Sequence, residues 1–284
     1  MSVPAPSARS ALAGELARDD RDLNLARAAL LVACEEYPQL PVDRYLLRLD
    51  QLAEEARDRL GEETAGPVVL QEVLTTVHGR HGLRGNVEAY YDPRNSFLND
   101  VLDRGLGIPI TLSIVVLEVG WRLGLPLEGV NFPGHFLVRY RGDAQRLLVD
   151  PFAGGRVRFE DEAQEILNGV YGGVVRMQPS FLRSASKREI ILRLLLNLKN
   201  LYVNVEDHAR ALAAVERLLL VQPDQVGEIR DRGMLLARLG RGAEAAEQLR
   251  AYLEMAPGAA DARRIRRFVE RLEAGEEPME EDEP

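Results

Sequence analysis

His135 and Asp150 are the residue types in this chain best suited to acid–base chemistry. An imidazole takes up and returns a proton near neutral pH, and a carboxylate beside it fixes the tautomer and steadies the charged form. The two residues bracket "HFLVRYRGDAQRLLVD", in which two β-like runs flank a turn. With Gly142-Asp143 as the central pair of a type II′ turn, the hairpin register sets His135 opposite Asp150. Covalent chemistry at a carbonyl also needs an attacking group. The helix before the hairpin, Pro109 to Leu123, begins with a proline, which supplies none. Thr111 and Ser113 are the nearby hydroxyls, and Ser113, one turn past Pro109, is the substitute nucleophile to consider. A hydroxyl needs stronger base activation than a thiol.

Asp92, Arg94, Asn95 and Asn99 cluster just before that helix and are candidate ligand-binding residues beside His135, with turn and cap roles as the alternative. His78 and His81 are three apart, but no third ligand follows at a fixed spacing, so no metal site is expected. The glycines of "AGGRV" and "YGGVV" lack the Lys-Ser/Thr of a phosphate loop and read as turns. No cofactor is expected. Cys34 lies in an apolar helical stripe and reads as packing.

Several elements must position these residues. "DLNLARAALLVACEEYPQL", "VDRYLLRLDQLAEEARDRLG" and "PVVLQEVLTTVHGRHG" carry apolar residues at helical spacing, so the first ~80 residues read as helical. Asp92-Pro93 marks a turn, Asn95 or Ser96 is placed to cap a short helix, and Gly105 to stop it. Pro109 suits a first helical turn, where its missing N–H costs nothing. The helix that follows is apolar on nearly every side, which places it at a domain centre. "RVRF", Arg156 to Phe159, reads as a third strand after the hairpin.

From Lys187 the chain is helical again and repeats. Ala211 aligns with Ala245, Val215 with Leu249 and Pro223 with Pro257, each 34 residues apart. That period is the tetratricopeptide (TPR) pattern, with Lys199 where the repeat prefers the glycine seen at Gly233.

Composition bounds the rest. The 284 residues suit about two domains. A net charge of -9, of which the tail "EAGEEPMEEDEP" supplies -7, leaves the remainder near -2. Neither nucleic acid nor an anionic membrane is an expected partner. One cysteine excludes an intramolecular disulfide, and no signal peptide or membrane span is apparent, so a cytoplasmic location is expected.

"YYDPRNSFLNDVL", "RGLGIPITLSIVVLEVGWRLGLPLEGV", "PGHFLVRY", "LLVDPFAGG" and "HGLRGN" in this order resemble the SirB-type family. That resemblance implies an α+β fold: a papain/transglutaminase-like core, with a central helix on an antiparallel sheet, a helical N-terminal part and all-α C-terminal TPRs. The expected divisions are a flexible 1–21, a core domain over 22–180, TPRs over 187–272 and a disordered acidic tail over 273–284. The wider superfamily works with a Cys-His-Asp triad. Counting back from Gly124, the Cys position falls at Pro109, while His135 and Asp150 match the other two. The expected protein is therefore a non-catalytic binding or regulatory one, with TPRs recruiting a protein or peptide through their groove. The alternative is a hydrolase or amidase that works with the His135–Asp150 dyad by an altered mechanism.

Overall fold

A computed structural model describes residues 7–142 and 146–275. The centre of the hairpin turn at Asp143 and most of the acidic tail lie outside those residues. The chain divides into two units at Leu194/Leu195.

The first unit opens with α1 (Ala8–Leu16), α2 (Leu25–Ala33), α3 (Val42–Leu60) and α4 (Gly66–Leu74). Of the span expected to be flexible, residues 8–16 instead form α1, whose start Ser7 caps by accepting the Ser10 N–H at 3.2 Å. Leu12 and Leu16, one turn apart, are both buried, which repays the entropy of ordering the segment. Asn24 caps α2 by accepting the Arg27 N–H at 2.9 Å. Gly61, at φ 57°, ends α3.

α4 runs on into a π-helical turn, Thr75–Arg80, and then β1 (Arg84–Gly85). Asp92, rather than Asn95 or Ser96, provides the next cap. It accepts the Arg94 N–H at 3.0 Å and starts a 3₁₀ turn, Pro93–Ser96. α5 (Leu98–Arg104) follows, and Gly105 stops it in the left-handed conformation at φ 70°. β2 (Leu106–Gly107) pairs with β1 and leads into α6 (Pro109–Arg122).

α6 is the centre of this unit. Every residue from Pro109 to Gly120 is buried, as its lack of a polar face requires. The exception in kind is Glu118. Its carboxylate accepts the Ala26 N–H in the first turn of α2 at 2.9 Å and pairs with Arg122. Buried charge is tolerated there because it is bonded and compensated.

The sheet is antiparallel, in the order β6-β5-β4-β3-β7: β6 (Arg156–Phe159), β5 (Arg146–Asp150), β4 (Leu137–Arg141), β3 (Leu127–Val130) and β7 (Ser184–Ala185). α7 (Ala163–Tyr171) covers one face through Ala163 and Leu167, which pack with Val130, Leu137 and Leu148. The buried Arg139 on that face is held by Glu128 at 2.6 Å and Glu160 at 3.0 Å.

The hairpin register differs from the expected one. Val138 pairs with Val149 and Arg141 with Arg146, so the connection is two residues longer than a type II′ turn. His135 thus precedes the strand, and continuing the register would place Asp150 opposite Leu137. A shift of two keeps every side chain on its face, whereas a shift of one would have reversed them all.

The second unit carries the helical repeat. α8 (Lys187–Asn204) crosses the division and is followed by α9 (His208–Val221), α10 (Val226–Arg238), α11 (Gly242–Met255) and α12 (Ala262–Ala274). The ends of α8 and α10, and both ends of α9 and α11, fall 34 residues apart, in step with the sequence period. A Cβ at Gly233 would lie 2.6 Å from Leu249, so this close crossing selects glycine. Lys199, at the equivalent place, instead reaches Glu228 at 2.8 Å and Asp231 at 2.5 Å.

Two glycine substitutions should move stability in opposite directions. A Cβ at Gly85 would come within 2.6 Å of the Phe152 carbonyl and ring, so Gly85→Ala should cost about 1–3 kcal/mol by overpacking. Gly14, within α1, has nothing within 4 Å, so Gly14→Ala should add about 0.5–1 kcal/mol. Urea midpoints at constant m-value report both.

Candidate functional site

The fold brings His135 and Asp150 together despite the altered register. Nε2 of His135 lies 2.9 Å from Oδ1 of Asp150. The carboxylate sits off the N–H axis, so the contact is close without being a linear hydrogen bond. The same oxygen accepts the N–H groups of Phe152 and Ala153, each at 3.1 Å, in the turn that Asp150-Pro151 begins. With Nε2 turned to Asp150, Nδ1 is the ring nitrogen left to meet a ligand.

Burial alone would push the Asp150 carboxyl up. The neighbouring His135 and the two backbone N–H groups outweigh it and hold the carboxyl below its usual range. The carboxylate is therefore the resident form at neutral pH.

A second histidine belongs to this site and was not assigned to it from the sequence. His78 sits on the π-helical turn, and its Nδ1 donates to the Leu83 carbonyl at 2.7 Å. A carbonyl only accepts, so Nε2 carries the lone pair, and it is buried without a partner. Burial lowers the His78 pKa, with the Leu83 bond and the Asp150 charge opposing. Gly155, at φ 79°, lets the Asp150–Gly155 turn close onto His78, where a Cβ would lie 2.6 Å from the ring. The π-turn was the available signal, because such turns recur at functional sites, but the sequence does not display it. His81 turns elsewhere, to Glu55 at 2.7 Å, so the two histidines do not form a pair.

Aromatic rings border the dyad. Phe152 stands edge-on to His135 at 6.2 Å and to Tyr90 at 5.8 Å, and Tyr90 stands edge-on to Tyr91 at 5.3 Å. Tyr91 is 73% exposed, so this border reaches solvent.

The candidate nucleophiles are not so placed. Ser113 is fully buried, and its Oγ bonds to nothing, His135 included. Thr111 is also buried. Its hydroxyl donates to the Asn95 carbonyl at 2.8 Å and accepts the Ile108 N–H at 3.1 Å, which fixes the first turn of α6. Cys34 is half-buried, and burial pushes its thiol up, away from the reactive thiolate.

The polar cluster before α6 has internal work. Asn95 is fully buried: its amide donates to the Ala89 carbonyl at 2.7 Å, and its Oδ1 accepts from Asn86 at 3.0 Å. Asp92 pairs with Arg94 at 2.8 Å and Arg104 at 3.1 Å. Asn99 is buried with Oδ1 unpartnered. Asn86, part of "HGLRGN", is the further residue that shapes this loop. In sum, Asp92 and Asn95 hold the segment that carries Tyr90 and Tyr91.

In the second unit a cavity of about 360 Å³ lies along α8 and α10, lined by Asn200, Val203, His208, Met234, Leu235 and Arg238 among others. Among the described residues, no group of three His, Cys, Asp or Glu could hold a metal ion, and no helix is long and apolar enough to cross a membrane.

An apolar helix buried against an antiparallel sheet, a His–Asp pair where β4 begins and β5 ends, and a helical repeat together define a transglutaminase-like domain followed by TPRs. The transglutaminase-like superfamily matches residues 43–196, and the tetratricopeptide repeat matches 198–270. A UPF0162 protein of Xylella fastidiosa is 39% identical over 84% of this chain and 86% of its own length. A UPF0162 protein of Vibrio cholerae is 31% identical over 76% and 80%, and Protein SirB1 of Salmonella typhimurium 27% over 74% and 78%. The chain belongs to the transglutaminase-like superfamily and, within it, to the SirB-type group.

The titrations give a pH test. Below about pH 6.5 the unfolded chain takes up a proton on His78 that the folded chain resists, so stability should fall on acidification from there, less steeply in His78→Asn. The contribution of Asp150 is fully present above its unfolded value of about 3.9 and is lost as pH falls through the lower folded value. The stability gap between wild type and Asp150→Asn should therefore be widest near neutrality and close below about pH 4. Urea midpoints from pH 3 to 8 check both.

Proposed function

We propose that this protein is a binding or regulatory protein built on a transglutaminase-like domain without its nucleophile. The domain holds a ligand at the His135 face, and the TPR unit holds a protein or peptide. One observation carries this: Pro109 occupies the first turn of α6, while the hydroxyls behind it are buried and, in Thr111, already bonded. A histidine and a carboxylate without an attacking group retain polarity and hydrogen-bonding capacity, which suit recognition, and only weak general-base assistance remains for catalysis. TPR helices stack into a concave surface suited to peptides, and the cavity along α8 and α10 combines apolar side chains with Lys199, Arg238 and Asp231.

Covalent labelling tests the reading. The folded protein should give no stoichiometric adduct on Ser113 or Thr111 with fluorophosphonate or acylating probes, by peptide mass spectrometry. An adduct on either that disappears in His135→Ala would make the protein an enzyme with a relocated nucleophile.

Restoring a thiol gives the converse test. Pro109→Cys puts a sulfur at a helix N-terminus in the position that matches the superfamily's cysteine, so iodoacetamide at pH 7 should alkylate it roughly tenfold faster than a free cysteine. Cys34 should supply only a slow background. The acceleration should vanish in the double variant with His135→Ala; equal rates with and without His135 would mean that the dyad does not serve that position.

A further inference from the structure

Arg193 is a cation held beside this site, and among the described residues no carboxylate pairs with it. It belongs to the first unit, on the part of α8 that packs against the sheet. The start of α8 is anchored. The backbone N–H groups of Lys187 and Arg188 donate to Asp20 at 3.2 and 3.1 Å, and Lys187 Nζ donates to the Leu23 carbonyl at 2.7 Å. Ile190, one turn on, packs so close to β3 that a Cβ at Gly129 would lie 2.9 Å from it.

This seating delivers Arg193 to the β3–β4 connection, where its Nη1 donates to Asn131 Oδ1 at 3.1 Å. His135 lies on the same connection, four residues further on. Tyr90 lies within reach of the Arg193 charge, and through Phe152 it adjoins the His135 ring. Among the described residues no carboxylate comes within 4 Å of the Arg193 guanidinium nitrogens; its one bond there is to a neutral amide. Most of the arginines of this domain that approach the sheet do have acids: Arg139, Arg141, Arg146 and Arg158 each pair with a glutamate.

We infer that the His135 face takes a ligand bearing a carboxylate, with Arg193 as its charge partner and the rings of Tyr90 and Phe152 against its apolar body. The inference rests on the ligand-binding reading of that face. A guanidinium with free N–H groups matches a planar carboxylate in two parallel bonds, and it does so at little cost when the side chain is already positioned. His135 Nδ1 is a second polar group available to the same ligand, while Asp150 is occupied by His135 and two backbone N–H groups. The carboxylate could be that of a peptide C-terminus or of a small aromatic acid, and the probes separate these.

The test is an NMR titration of the full chain, labelled with ¹⁵N-arginine and with ¹⁵N-histidine. The probes are N-acetyl-Gly-Phe as the free acid, the same dipeptide as its amide, and phenylacetate. The free acid should shift the Arg193 Nε–H and His135 signals saturably, and the amide should bind roughly tenfold more weakly or less. Tighter binding of the dipeptide acid than of phenylacetate assigns the carboxylate to a peptide; the reverse assigns it to a small acid; both support the inference. Arg193→Gln should bring the acid down to the level of the amide, with Arg193→Lys intermediate. If Arg193→Gln lowers the melting temperature, the acid–amide comparison in the wild type still decides. Equal binding of acid and amide at His135 would overturn the carboxylate assignment and leave the face as a ligand site. Saturating levels of all three probes with no shift at Arg193 or His135 would overturn both.

Discussion

The burial of α6 on all sides is the constraint on which the first unit depends. A helix with no polar face is stable only if other elements enclose it, and here α2, α3, α4 and the sheet do so. Its one buried charge is put to use, since Glu118 caps α2 from within the core. Its first turn is equally committed: Pro109 contributes no N–H, and Thr111 ties the helix to the Asn95 loop. That loop places Tyr90, and Tyr90 places Phe152 against His135. The site is thus assembled outward from the start of the central helix.

A transglutaminase-like site divides its labour between a thiolate, a base and an orienting acid. This chain brings a histidine and a carboxylate together, and it has a proline in the first turn of its central helix. The His–Asp pair is still costly to keep, because both groups are largely removed from water. Backbone N–H groups on Asp150 offset part of that cost. Such an arrangement is rigid and polar, the properties wanted of a recognition surface. In the second unit the substitution of lysine for the repeat glycine has a comparable logic. Lys199 forms a three-charge cluster with Glu228 and Asp231.

Much was legible from residues alone, and the physical reason is local. The all-round apolar run from Ile110 to Val119 announces a buried helix, Pro109 its first turn, and the β-like runs "RLLVD" and "RVRF" the strands. The 34-residue period survives folding because each repeat packs against its sequence neighbours. The choice of His135 and Asp150 as partners also came from sequence, and the two-residue error in the turn did not separate them, because side-chain parity depends on whether a shift is odd or even.

What only tertiary structure decided are the contacts between distant segments. Periodicity predicts a face and says nothing of which atoms meet it. The approach of His78 depends on a π-turn and on Gly155 closing over it; the second partner of Asp92, beyond its neighbour Arg94, is Arg104; the enclosure of Ser113 depends on everything packed around α6. Arg193 reads in sequence as one charge among many on a helix, and it becomes a candidate ligand contact only when α8 is seated on β3 and, among the described residues, no acid comes to meet it. Residue types and spacing determine which elements form and which faces are apolar. Desolvation and the pairing of charges are settled by the packing of those elements, and these are the quantities on which the site depends.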